Sequence, residues 1–131
     1  MSPRGTRNCD ARITAGRRDK ASQFWRAASI VETLADDESD LVDAYVTLLI
    51  HAGIAAADVI CCTRLGYHAM GDNHAEAIAV LALVDSNLAG DLGTLLDMKT
   101  RSGYTHETSS VGNRKRAQRA ADRLITAVTA I

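Results

Sequence analysis

The chain has a single proline, Pro3, so nothing from Arg4 to Ile131 is proline-broken. Helices can therefore run long, and the turns between them fall to glycine and asparagine. Aromatic residues make up only 4% of the chain, and its long Ala- and Leu-rich stretches hold few β-branched runs. Both features disfavour a sheet core and favour helix. Cysteine is scarce: Cys9, Cys61 and Cys62 form an odd set, and the adjacent pair is poorly placed for a disulfide on a helix. Reduced thiols in a cytoplasmic protein are the expectation. The opening residues MSPRGTRNCDAR lack the apolar centre of a signal peptide. Together with His68 and His74, Cys61 and Cys62 follow no familiar zinc-ligand spacing, so neither a metal nor a cofactor is expected.

Basic residues are nearly missing from the middle of the chain. Of the 131 residues, 27–98 hold one basic side chain, Arg64, against twelve acidic ones. Residues 1–26 and 99–131 each hold seven basic and two acidic side chains. Two basic ends around an acidic middle can form a phosphate-binding face, or they can lie against acidic neighbours within the molecule or a dimer. The length suits one domain with a core large enough to fold unaided.

What is present is helical periodicity. Residues 1–14 are polar and basic and are expected to form a flexible arm, with the bundle spanning 15–131. From about Ala15 to Ala35, Ala21, Phe24, Trp25, Ala28, Val31 and Leu34 recur at three- and four-residue steps. The acidic run Asp36 to Asp40 ends this helix and is expected to cap the next. Leu41 to about Leu65 is apolar nearly all round, as a central buried helix should be. Asp43, His51 and Asp58 interrupt it, which argues against a membrane span. A turn over Gly66–Asp72, a third helix capped by Asn73 and a fourth from Asn87 to Arg101 follow. Residues 102–112 read as a loop before the last helix. The expected fold is all-α, a single-domain up-and-down bundle of about five helices.

Several residues could carry chemistry. Asp40, Asp43, Thr47, His51, Asp58 and Cys62 fall along one face of the central helix. His51 and Asp58 could line a pocket, or the stripe could be a buried hydrogen-bond set or, with Gly53, a dimer seam. His74 is either a residue of the capping turn or a ligand contact. Arg114, Lys115, Arg116, Arg119 and Arg123 offer either a phosphate-binding cluster or a solvated helix face. Arg101 and His106, separated by four residues, could act on a phosphodiester, the arginine neutralising charge and the histidine moving a proton.

From about Arg17 to Val128 the chain resembles the HEPN superfamily of helical, nucleotide-associated domains. The likeness lies in KASQFWRAASIVE, in DAYVTLLIHAGIAAADVICC, in the histidine-led GDNHAEAIAVLALV and in LLDMKTRSGYTHETSSVGNRKRAQRAADRLITAV. The resemblance implies a helical bundle that pairs as a homodimer. It implies either a binding module for RNA or nucleotides, partnered in some members by a nucleotidyltransferase, or a metal-independent ribonuclease. Defence and toxin–antitoxin systems are the settings it suggests. The nuclease alignment maps onto Arg101 and His106, whereas the non-catalytic alignment places Lys99 and Tyr104 in its basic and tyrosine positions. A structural or regulatory partner-binding bundle is the remaining alternative.

Overall fold

The computed structural model describes residues 2–71 and 73–131. Asp72, assigned above to the turn, lies outside them. Five helices carry the fold, in the order β1 (Thr6–Asn8), α1 (Ala11–Leu34), α2 (Val42–Leu65), β2 (Tyr67–Ala69), α3 (His74–Ala82), α4 (Ser86–Tyr104) and α5 (Val111–Thr129). The all-α bundle expected from composition and periodicity is what the chain forms.

α2 is the hub: α1, α5 and α4 pack around it, and α3 lies mainly against α4. Val46, Leu49, Ala52, Ala56 and Val59 of α2 are fully enclosed. Its length and mean hydropathy of 1.8 would suit a membrane span, but 67% of that apolar window is buried by the rest of the bundle. Gly53 shows how tight the centre is. A Cβ there would run into the side chain of Leu95 in α4 and come within 3.3 Å of Leu124 Cδ1 in α5. The close approach expected of Gly53 is thus made within the chain, to α4 and α5.

Local chemistry sets the helix ends. Asp10, Asn73, Asp85 and Ser110 each accept a backbone N–H from the first turn of α1, α3, α4 and α5, at 2.8 to 3.1 Å. Helix α2 departs from expectation. The acidic run does not cap it; Asp37 and Asp40 instead bind the backbone N–H groups of Ser39 and Asp36, at 2.8 and 2.9 Å. The N-cap is Leu41, in a left-handed conformation (φ 57°) with no side-chain cap. Gly66, at φ 82°, closes α2, its N–H donating to Cys62 O.

Three further expectations are corrected. The N-terminal arm contains secondary structure: β1 pairs antiparallel with β2, in the register Thr6↔Ala69, Arg7↔His68, Asn8↔Tyr67. Asp10 then caps α1 four residues before the expected start at Ala15. At the other end α4 runs through Ser102 and Gly103 to Tyr104, which shortens the loop to 105–110. Helical hydrogen bonding from the packed turns of Leu95, Leu96 and Met98 carries the glycine along. Finally, Cys9 and Cys62 are joined in a disulfide with 5.5 Å between their Cα atoms, and only Cys61 is a free thiol. The β1–β2 pairing brings Cys9 back to the end of α2, a closure that sequence spacing does not reveal.

Candidate anion-binding site

Where the β1–β2 pair meets α1, α2, α3 and α4, a cavity of about 330 Å³ opens to solvent. Apolar side chains form its floor: Ile54, Ala57 and Cys61 from α2, and Leu92 and Leu96 from α4. Nitrogen-bearing side chains from five elements ring it: β1 supplies Arg7, α1 Arg17, β2 His68, α3 His74 and α4 Lys99. A sixth element, α2, contributes Asp58, the only lining carboxylate among the described residues. The cross-strand pairing of Arg7 with His68 explains why both reach the same rim.

Asp58 organises one wall. Arg17 donates to Asp58 Oδ2 through Nε at 2.9 Å and lies 2.8 Å from it through a terminal nitrogen. His68 Nδ1 stands 3.6 Å from Asp58 Oδ1. Burial pushes the Asp58 carboxyl above its ordinary value, while Arg17 first and His68 second pull it back. Burial also raises the Cys61 thiol, to about 12, with Asp58 adding to the effect. Among the described residues, neither Arg7 nor Lys99 makes an ion pair, so both keep their charge available. The rim therefore carries more positive charge than Asp58 offsets.

The residues singled out in the sequence divide between this cavity and other places. Asp58, His74 and Lys99 converge on it. His51 does not: it stacks on Phe24, ring centroids 5.2 Å apart, and lines a smaller cleft of about 190 Å³ with Lys99, Ser102 and Tyr104. Burial, then Lys99 and Arg17, lowers its pKa. Lys99 separates the two clefts. Tyr104 is 78% exposed and so does not pack α4 against α5. The polar stripe of α2 is spent on three internal partners: Asp43 accepts from Ser109 N, Thr47 donates to Ser102 Oγ, and Asp58 holds Arg17.

The C-terminal arginine cluster divides as well. Arg114 is only 9% exposed; it binds Glu32 at 3.0 Å and lies over the Tyr45 ring, 4.6 Å from its centroid. Arg123 forks onto both oxygens of Asp91 at 2.7 to 3.0 Å. Both are paired with acidic side chains of the chain itself. Lys115, Arg116 and Arg119 remain exposed, and Arg116 shares a cleft of about 200 Å³ with Arg101 and Asn113. Arg101 lies 3.9 Å from Glu107, while His106 is exposed and outside all three clefts.

Arg7, Arg17 and His68 are the site residues that sequence reasoning missed. Arg17 and Asp58 are 41 residues apart, and only the packing of α1 on α2 joins them. Arg7 was hidden in the presumed arm; the one available signal was the short run TRN standing opposite YHA, each preceded or followed by glycine.

Fold and site together define a class, a helical bundle with a cation-rimmed pocket beside its two-stranded sheet. Comparisons of the chain with protein-family models, curated proteins and solved structures return no match. The HEPN likeness accordingly stands on the sequence patterns quoted above.

Proposed function

We propose that the chain is a binding module for a small phosphate-bearing ligand, a nucleotide by size and shape, held in the pocket beside the β1–β2 pair. The observation that carries this reading is the convergence of Arg7, Arg17, Lys99, His68 and His74 on one cavity that, among the described residues, holds a single carboxylate. Charge-assisted hydrogen bonds to phosphate oxygens are the strong use of such a set. The volume, about 330 Å³, falls in the lower range of small-ligand sites. The apolar floor of Ile54, Leu92 and Leu96 suits a base or sugar below a phosphate held at the rim. The HEPN likeness supports the same ligand class. Pairing with a second copy or with a nucleotidyltransferase, which the likeness also implies, would use a face other than the Gly53 side of α2.

Titration calorimetry with a nucleoside monophosphate, inorganic phosphate and the unphosphorylated nucleoside tests the proposal. The monophosphate should bind, phosphate more weakly and the nucleoside least. Arg7→Ala and Lys99→Ala should each weaken the monophosphate by about tenfold or more, the worth of a hydrogen bond to a charged group. Equal affinity for nucleoside and monophosphate, or no heat with either, would rule the reading out.

A further inference from the structure

Sharing His68 with the anion pocket is a second cluster, whose two sulfurs phosphate binding does not require. Cys9 Sγ, Cys62 Sγ and a ring nitrogen of His68 fall within 4.8 Å of one another. Three separate segments assemble them. Cys9 follows β1 and is tied to the end of α2 by its N–H to Gly66 O at 2.9 Å. Cys62 lies in the last turn of α2, and His68 is the middle residue of β2. In this structure the two sulfurs are bonded to each other.

We propose that, when Cys9 and Cys62 are thiols, they and His68 form a binding site for one zinc-class divalent cation. Tetrahedral zinc with bonds of about 2.3 Å to sulfur and 2.0–2.1 Å to nitrogen sets its ligand atoms roughly 3.5–4 Å apart. Opening the disulfide brings the present trio to that spacing with little backbone movement. Two thiolates and an imidazole select zinc over magnesium or calcium, which prefer oxygen ligands.

The surroundings of His68 support the same site independently of distance. Its Nδ1 lies 2.7 Å from Ala69 O. A carbonyl only accepts, so Nδ1 carries the proton and Nε2 keeps the free lone pair. The Asp58 carboxylate stands 3.6 Å from that same Nδ1. A ligating histidine ordinarily shows this outer arrangement, its second nitrogen donating to a carbonyl or carboxylate that fixes the tautomer. Three protein ligands leave a fourth position for water.

This set differs from the one weighed in the sequence. Cys61 is a buried thiol outside the trio, and His74 lies at the start of α3. The site is reached by reducing the disulfide. A phosphine and one water supply two electrons and two protons, giving two thiols and the phosphine oxide. Metal binding then displaces the two thiol protons.

The test is a cobalt(II) titration of the full-length chain, reduced with a phosphine and freed of metal. A thiolate-to-cobalt absorption band should grow, saturate at one ion per chain, and vanish when zinc is added. Proton release should accompany it. Cys9→Ser, Cys62→Ser and His68→Ala should each weaken binding by more than about a hundredfold, beyond the usual loss from outer-shell changes. Cys61→Ser should behave as the unaltered chain does. No band in the reduced unaltered chain overturns the proposal whatever the variants do. A band that survives Cys62→Ser or His68→Ala, or is lost in Cys61→Ser, overturns it too.

Discussion

At the N-terminal end, Arg7 and Arg17 turn towards a cavity, one of them without an ionic partner. At the C-terminal end, Arg114 and Arg123 turn inward onto Glu32 and Asp91. Both ends carry seven basic and two acidic residues, so charge count does not separate them. Packing does. The C-terminal arginines lie on a helix flanked by α1 and α4, whose acidic side chains are within reach. Arg7 lies in β1 and Arg17 in α1, near the end of α2, where Asp58 is the only carboxylate lining the cavity among the described residues. Of the two readings the charge pattern allowed, the C-terminal end takes complementary packing, and the N-terminal end supports the phosphate proposal.

The two ends are also fastened differently, one by a covalent clip and the other by ion pairs. Reducing the Cys9–Cys62 bridge, which spans a sequence separation of 53, should cost about 2–4 kcal/mol of stability in the absence of added metal. Denaturant unfolding with and without a phosphine would measure it. An unchanged midpoint would mean that the N-terminal segment is not held by the clip.

A paired substitution sharpens the contrast. Arg17→Ala should weaken nucleoside monophosphate binding by about tenfold or more. Arg114→Ala should leave that affinity alone and instead lower stability by about 2 kcal/mol, since Tyr45 and Glu32 lose a buried partner. Calorimetry and chemical unfolding on both variants decide it. If the two effects exchange places, the division of labour proposed here is wrong.

His51 supplies a pH signature. Its folded-state pKa lies below the ordinary value of 6.5, because burial, Lys99 and Arg17 all oppose the charged ring. The unfolded chain therefore takes up the proton more readily than the folded one. The stability His51 contributes is present above pH 6.5 and is lost as pH falls through that value towards the lower folded-state pKa. His51→Gln should flatten this part of the stability–pH curve, and a slope that persists in the variant would assign it elsewhere. The smallest effect is expected at Arg123, whose side chain is 58% exposed despite its fork onto Asp91. Arg123→Lys should cost no more than about 1 kcal/mol in thermal unfolding.

Much of the fold was legible because helices are written locally. The apolar run of α2, the Ala and Leu steps of α1 and α5, and the cap at Asn73 are all short-range signals. What escaped depends on pairing at a distance. A three-residue strand has too few alternations to be recognised without its partner. Gly103 looked like a loop because its helical neighbours, not its own propensity, decide its conformation. In the site, Asp58 and His74 were identified as polar residues on helices, and Lys99 through the HEPN likeness. Arg7 and Arg17 were not, because their role exists only once the β1–β2 pair and α1 close over α2. The disulfide escaped for the same reason: attention to the adjacent pair Cys61–Cys62 hid the bond that chain reversal makes with Cys9.

Amide chemical-shift mapping during titration with a nucleoside monophosphate is the most direct test of the proposed binding role. The account predicts saturable shifts centred on Arg7, Arg17, His68, His74 and Lys99, strongly reduced in Lys99→Ala. Shifts centred instead on Lys115, Arg116 and Arg119, or no saturable shifts at all, would contradict it.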